Sequence, residues 1–288
     1  MVFWRILDNK LHPVHETETL GFEEAEGMRI PDEYLDAKEF VIMRTVHGIG
    51  DWGILSVMPR LLKQKYPNCK VYIPSKVLLK KLFGNSHENA YITFNNNPYI
   101  DGFVDSVNGD IFHDQYRIYN NQIPDTPLVE QMLKFWQFTA NEYEDSQPEI
   151  YWTDKEKELG DIIINTYTTS DYGCLLVSDR FGTQYGKYDE ESYKRDTLNM
   201  TTILKENNIP YFYWSYKPLE DTPFNFIDKA LNLRHIDIRV QLYIKSKALL
   251  NISNQCGANH MVVRYSTCYE SQRQFPINHN FVKGEIYL

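Results

Sequence analysis

The sequence lacks the features that would tie it to a disulfide scaffold, a membrane or a nucleic acid. Its four cysteines, Cys69, Cys174, Cys256 and Cys268, are scattered singly with no C-x-x-C pair. That argues against a zinc ribbon or a disulfide framework and points to reduced thiols. No apolar run is long enough to span a bilayer, and the apolar part of the opening MVFWRILDNK is too short for a signal peptide. A soluble, cytoplasmic protein is expected. Positive charge is not in excess: the net charge is −9, so no global basic field recruits nucleic acid. No G-x-S-x-G and no G-K-S/T occurs, which removes the α/β-hydrolase and P-loop readings. His12 and His15 have a spacing usable for metal, but no Cys or third His stands near them, and a contact without metal is the plainer reading.

What is present is an ordinary globular composition, 42% hydrophobic and 24% charged over 288 residues, with 21 tyrosines. Residues 1–37 are acidic and read as an irregular N-terminal extension. After them, "EFVIMRTV" (39–46) is a continuous apolar run of strand length, typical of a strand buried on both faces. Ile54, Met58, Leu61, Leu62 and Tyr66 follow at helical spacing, with Pro59 implying a kink or a late start. "KVYIPS" reads as a strand, "KVLLKKLFG" as a helix, and "AYITF" and "GFVDSV" as short strands. A helical "PLVEQMLKFWQFTA" leads to the polar "NEYEDSQPE", where the domain boundary is expected, giving domains of 38–150 and 151–288.

The alternation then restarts: helix "DKEKELGDIIINTYT", strand "GCLLVSD", helix "DTLNMTTILKENN", strand "PYFYWSY", weak helix "PFNFIDKALN", helix "VQLYIKSK", strand "ALLNISN" and a helix start at "GANHMVVRY". Strand alternating with helix predicts parallel sheets covered on both faces, with ligands outside the carboxyl ends of the strands.

Gly48-Ile49-Gly50-Asp51-Trp52-Gly53 satisfies G-x-G-x-x-G after the first strand. A dinucleotide fingerprint also needs an acid about 20 residues on, capping the second strand. Here that strand ends in Pro74, Ser75 and Lys76. Asp51 sits where a pyrophosphate would dock, and its carboxylate would repel phosphate while gaining from the helix N-terminus. Two readings stay open for Asp51: a proton acceptor facing a substrate hydroxyl, or a helix cap.

Three segments carry a family resemblance. "GIGDWGILSVMPRLLKQKYPNCKVYI", with Arg60, Leu62, Lys63, Tyr66 and Pro67 in register, resembles the opening of the heptosyltransferase-type glycosyltransferases. "NNPYIDGFVD" (96–105) is similar to that family's N-P-Y-I-D segment, and "ISNQCGANHMV" (252–262) to its I-S-x-D-S/T-G-x-x-H loop. The resemblance spans about residues 38–265, in family order. It implies an α/β fold of two facing Rossmann-like domains with parallel sheets, the glycosyltransferase B architecture. Acceptor would bind the first domain and nucleotide-sugar the second, with Asp51 and Gly257 on opposite walls of a cleft.

By the same resemblance Asp51 is the catalytic base; Arg44, His47, Gly48 and Gly50 are expected beside it as acceptor or loop support, with His47 either orienting Asp51 or a substrate or serving as a plain loop residue. Cys256, Gly257, Ala258 and His260 would hold the donor diphosphate, with Lys187, or its rival Arg180, as the phosphate-binding cation in "VSDRFGTQYGK". Gln255 and Cys256 depart from the family's Asp and Ser/Thr. No D-x-D occurs among 19 aspartates, which argues against a metal–diphosphate clamp. The expectation is therefore an inverting, metal-independent enzyme with no cofactor beyond the nucleotide-sugar co-substrate. Trp214 and Tyr216 end a strand where a base could stack, or belong to the core. The acceptor is left open between a glycan, a lipid-linked sugar and, as in phage enzymes, hydroxymethylated DNA. A non-catalytic sugar-nucleotide binder and an NAD-dependent oxidoreductase are the remaining alternatives.

Overall fold

The structure, a computed structural model, describes residues 3–7, 10–15, 39–42, 48–83, 88–106, 111–113, 127, 129–130, 133, 138–177, 190–215, 218–254, 257–271 and 283–288. The chain divides into two compact units: Met1–Tyr151 with Ile277–Lys283, and Trp152–Pro276 with Gly284–Leu288.

The first unit opens with strands β1 (Phe3–Leu7) and β2 (Lys10–His15), an antiparallel hairpin inside the stretch expected to be irregular. Next come β3 (Glu39–Val41), helices α1 (Ile49–Ile54) and α2 (Met58–Lys65), β4 (Lys70–Pro74), α3 (Lys76–Phe83), α4 (Asn89–Phe94), β5 (Gly102–Val104) and β6 (Ile111–His113). Strands β3, β4 and β5 form a parallel sheet, while β6 joins β1 in an antiparallel sheet of order β2-β1-β6. Phe40, Val41, Val71 and Ile73 are fully buried, as continuous apolar strands require.

A single turn of 3-10 helix, Leu55–Val57, separates α1 from α2. Pro59 stands in the first turn of α2, where its missing N–H leaves no helical bond unmade. The break expected from Pro59 is therefore there. "AYITF" is a helix, not a strand: Ala90, Thr93 and Phe94 are buried while Tyr91 is exposed, which is helical spacing. Phe94 meets the fully buried Trp52 of α1 edge to face, and that tertiary contact decides a run too short for periodicity to assign. Most of the helix expected over "PLVEQMLKFWQFTA" lies outside the described residues.

The second unit runs α5 (Asp154–Tyr167), β7 (Gly173–Leu176), α6 (Glu190–Glu206), β8 (Tyr211–Trp214), β9 (Ala230–Asn232), α7 (Ile238–Lys247), β10 (Leu250–Asn254), the one-turn α8 (Gly257–His260), β11 (Thr267–Ser271) and β12 (Glu285–Tyr287). All six strands are parallel, in the order β12-β11-β10-β7-β8-β9. Counted from β7 this is 3-2-1-4-5-6, the order of dinucleotide-binding folds, whose direction reverses between β7 and β10. Adjacent residues of β8 serve opposite faces: Tyr211 packs with Leu175, Met200, Phe224 and Ile252, and Phe212 with Tyr172, Val240 and Ile244.

Helix α5 starts in a capping box, Thr153 Oγ1 accepting from the Glu156 amide and Glu156 accepting from the Thr153 amide. The weak helix expected over "PFNFIDKALN" is instead a turn that buries Phe224, followed by edge strand β9. The pattern of β11 and β12 was not legible as strand in the sequence.

Gly173 is a glycine because the Tyr211 ring of the neighbouring strand lies where its β-carbon would be. Gly173→Ala is expected to destabilise the second unit by about 1–3 kcal/mol through overpacking. The midpoint of urea unfolding, followed by tyrosine and tryptophan fluorescence, measures it. Among the described residues, no helix is long and apolar enough to cross a membrane.

Candidate active site

In the first unit, β3 leads through the glycine loop into α1. Gly48 is the N-cap and Asp51 falls in the first helical turn, partly exposed, above the N-terminal amides. Gly48 has an ordinary extended conformation (φ −62°, ψ 142°), so its backbone does not demand glycine. A β-carbon on residue 48 would overlap Asp51 Oδ2, so the carboxylate at the end of that side chain would have to shift. Gly50, Trp52, Gly53 and Ile54 are buried, leaving Asp51 as the acidic group that α1 carries at its start. Ser56 fixes the far end, donating to the Gly53 carbonyl (2.6 Å) and accepting from the Glu149 amide (2.8 Å). Arg44 and His47 lie outside the described residues.

The other residues in register with the resemblance hold the fold. Arg60 gives its Nε to Glu149 Oε2 (2.8 Å) and its Nη2 to the Asp145 carbonyl (2.8 Å). Glu149 also accepts from the Tyr151 hydroxyl (3.0 Å). Burial, with Glu149 beside it, raises that phenol. Lys63 donates to Asp101 Oδ2 (2.7 Å) and to the Cys69 carbonyl (2.6 Å), and the same Asp101 oxygen accepts the Val71 amide (2.7 Å). Partial burial alone would raise the Asp101 carboxyl, but the bonds from Lys63 and Val71 outweigh it and bring it below its ordinary value. The N-P-Y-I-D-G segment is thus turn chemistry: Asn96 has φ 64°, Gly102 has φ 149°, and Asp101 clamps the start of β4 to α2.

In the second unit, the loops after β7 and β10 flank the reversal of strand order, the position where open α/β sheets take ligands. The first carries Arg180 and Lys187, the second Gln255 and Cys256, and all four lie outside the described residues. Gly257 and Ala258 open α8 directly beyond them, with Gly257 partly exposed and Ala258 buried. A helix of one turn has little macrodipole, so what this spot offers an anion is amide hydrogen bonds. Trp214 ends β8 partly buried and Tyr216 lies outside the described residues. No acid follows β8 in "YFYWSYK", and the G-x-G-x-x-G pattern belongs to the other unit, so neither half has the paired features of a dinucleotide site.

His260 does not stand at the surface. Its side chain is 7% exposed, its Nδ1 lies 2.8 Å from Glu285 Oε2 and 3.7 Å from Glu270 Oε2, and both glutamates are buried. Beside it Asn259 accepts from the Lys245 ammonium (2.8 Å) and donates to Ser253 Oγ (2.7 Å). Sequence reading missed Lys245, Asn259, Glu270 and Glu285. No motif or spacing in the sequence marks these four residues. Cys174 and Cys268 are free and buried on this sheet, and desolvation pushes both thiols up to about 12, so they are inert at neutral pH.

No protein-family model matches the sequence, and neither does any curated protein. Solved structures match in fold. The chain is similar to a glycosyl transferase of family 9 from Veillonella parvula, with 11% identity over 88% of this chain and 86% of that one and a TM-score of 0.57. It is also similar to the dodecameric iron-containing heptosyltransferase TibC of enterotoxigenic E. coli, solved with ADP-D-β-D-heptose, with 9% identity over 96% of this chain and 67% of that one and a TM-score of 0.52. At these identities the likeness is one of fold. The α/β class with parallel sheets expected from the sequence is the class observed, and the fold is that of the heptosyltransferase-like glycosyltransferases.

Proposed function

We propose that the chain is a glycosyltransferase that moves a sugar from a nucleotide-sugar to an acceptor hydroxyl with inversion and without a metal on the donor phosphates. The observation that carries this is the six-stranded sheet with strand order 3-2-1-4-5-6, whose reversal point is flanked by the two loops matched to donor phosphate binding. In a single displacement the acceptor oxygen bonds to the anomeric carbon as the bond from that carbon to the phosphate oxygen breaks. Asp51 takes the acceptor's proton. The leaving nucleoside diphosphate gains negative charge, which the amides of Gly257 and Ala258, the Cys256 position and the cations Lys187 and Arg180 offset. His260 turns its Nδ1 to Glu285, so that nitrogen is engaged within the second unit. The acceptor class stays open between a glycan, a lipid-linked sugar and a modified base in DNA. Gln255 and Cys256 motivate a second reading, a binder that does not turn over.

A nucleoside diphosphate is expected to raise the melting temperature without added divalent metal. At a concentration of 100 times Kd the gain is about 2.7 kcal/mol. A thermal-shift panel of nucleoside diphosphates and their sugars checks this. No shift with any of them, or a shift that vanishes in chelator and returns with magnesium or manganese, contradicts the proposal. Binding with no sugar transfer to any acceptor favours the second reading.

A further inference from the structure

Lys245 is a charged side chain that the proposed chemistry does not use and that the fold has nevertheless buried. It belongs to the last turn of α7 and is 6% exposed. Its ammonium donates to Asn259 Oδ1 (2.8 Å), its one acceptor among the described residues, and no carboxylate among them lies within ion-pair distance of it. The thiols of Cys174 and Cys268 lie near enough to feel its charge, but burial keeps both neutral. Burying an ammonium costs free energy, and a neutral side chain would fill the same space without that cost.

The partner of that ammonium explains its place. Asn259 is fully buried and stands third in α8, the single turn that follows β10 and opens with Gly257 and Ala258. One turn of helix does not hold itself together in water, so its orientation comes from its fastening to the sheet. Asn259 supplies that fastening. Its Nδ2 donates to Ser253 Oγ of β10 (2.7 Å) and to the Tyr269 carbonyl of β11 (3.3 Å), and its own carbonyl accepts from Cys268 Sγ (3.7 Å). Lys245 closes the clamp from α7. An ammonium accepts no hydrogen bond, so it also fixes which way the Asn259 amide points. The amides of Gly257 and Ala258 directly precede this clamped residue, and their direction follows from it.

We propose that Lys245 is a positioning residue of the donor site: through Asn259 it sets the amides of Gly257 and Ala258, and its buried charge favours an anion against them. The inference rests on the transfer reading, which brings the donor phosphates to that turn. Lys245 acts through Asn259 and through its field, not by touching the donor. A charge inside the protein acts over several ångströms and is screened little by salt. That is the gain a neutral side chain at residue 245 would not give.

The test measures binding of ADP, GDP and UDP, and of their nucleosides by competition, to the full chain and to two variants. Lys245→Met keeps most of the side-chain length and removes the charge. Asn259→Asp keeps an acceptor for Lys245 and sets an opposing charge beside it. Each variant is expected to weaken the diphosphate that binds the parent protein best by about 10-fold or more, and to leave the matching nucleoside nearly unchanged. A merely structural role would move both affinities together or neither. Equal losses, or an unchanged diphosphate affinity, therefore overturn the inference. If one variant fails to fold, the other decides. If neither folds, nitrogen-15 NMR of lysine-labelled parent protein decides: the resonance of the buried ammonium should move with the diphosphate and not with the nucleoside, and no movement overturns the inference. A parent protein that binds none of the diphosphates overturns the transfer reading and this inference with it. Binding that is the same in parent and variants overturns this inference alone.

Discussion

Asp51→Asn is expected to lower sugar transfer by about 10²–10⁴-fold while the folding free energy changes by less than about 1 kcal/mol. Asparagine keeps the shape of the side chain and still suits the first turn of a helix, but its amide cannot take a proton from a hydroxyl. The loss of a charge near helical amides accounts for the small stability term. Donor affinity should hold or rise slightly, because a negative charge near the reacting groups has been removed. Gly48→Ala probes the same atom from the other side. A β-carbon there would overlap Asp51 Oδ2, so the carboxylate must move, and transfer should fall although the carboxylate is retained. Melting temperature, donor affinity and transfer rate on these two variants separate a base from a first-turn helix charge. Normal transfer by Asp51→Asn would mean that Asp51 only places negative charge in the first turn of α1.

Of the strands that carry the proposed donor loops, β7 was readable as a continuous apolar run, whereas β10 reads Leu-Asn-Ile-Ser-Asn and is apolar at alternate positions. Leu175 and Ile252 pack on one face of the sheet and Cys174 and Phe212 on the other, so both faces are covered. The reversal of strand order was not readable, since it depends on which strands pair. The His260 cluster was hidden for a physical reason. β11 reads Thr-Cys-Tyr-Glu-Ser, and its inward residues include a glutamate, so the strand that shapes the cluster has no apolar alternation to find. Several residues that made the family resemblance legible proved to be structural. Arg60, Lys63 and Asp101 spend their charges on one another's neighbourhoods within the first unit. A motif can therefore report a fold while only one of its members, here Asp51, stands where chemistry is proposed.

Glu156→Gln is expected to destabilise the second unit by about 1–3 kcal/mol, the cost of leaving a buried guanidinium opposite a neutral amide in a half-buried pair. The Arg239 side chain is 4% exposed, and its Nε and Nη2 reach Glu156 Oε1 (2.6 Å) and Oε2 (3.2 Å). Glutamine can still accept from the Thr153 amide and preserve the capping box, so the loss falls on the guanidinium, which then faces a neutral amide. Arg239→Met should cost less, because Glu156 keeps the Thr153 amide and the helix N-terminus and its side chain is 17% exposed. Burial alone would raise the Glu156 carboxyl, but the bond from Arg239 and the Thr153 amide outweigh it, so its folded value lies below the ordinary carboxylate value of about 4.3. A carboxyl lowered on folding contributes its stability above the unfolded value and loses it as pH falls through the folded one. The gap between the parent protein and Glu156→Gln should therefore be full at neutral pH and close progressively below about pH 4.3. Urea unfolding of the parent, Glu156→Gln and Arg239→Met across that range measures it. A gap that is constant down to strong acid would show that shape at residue 156, and not its charge opposite Arg239, holds α5 to α7.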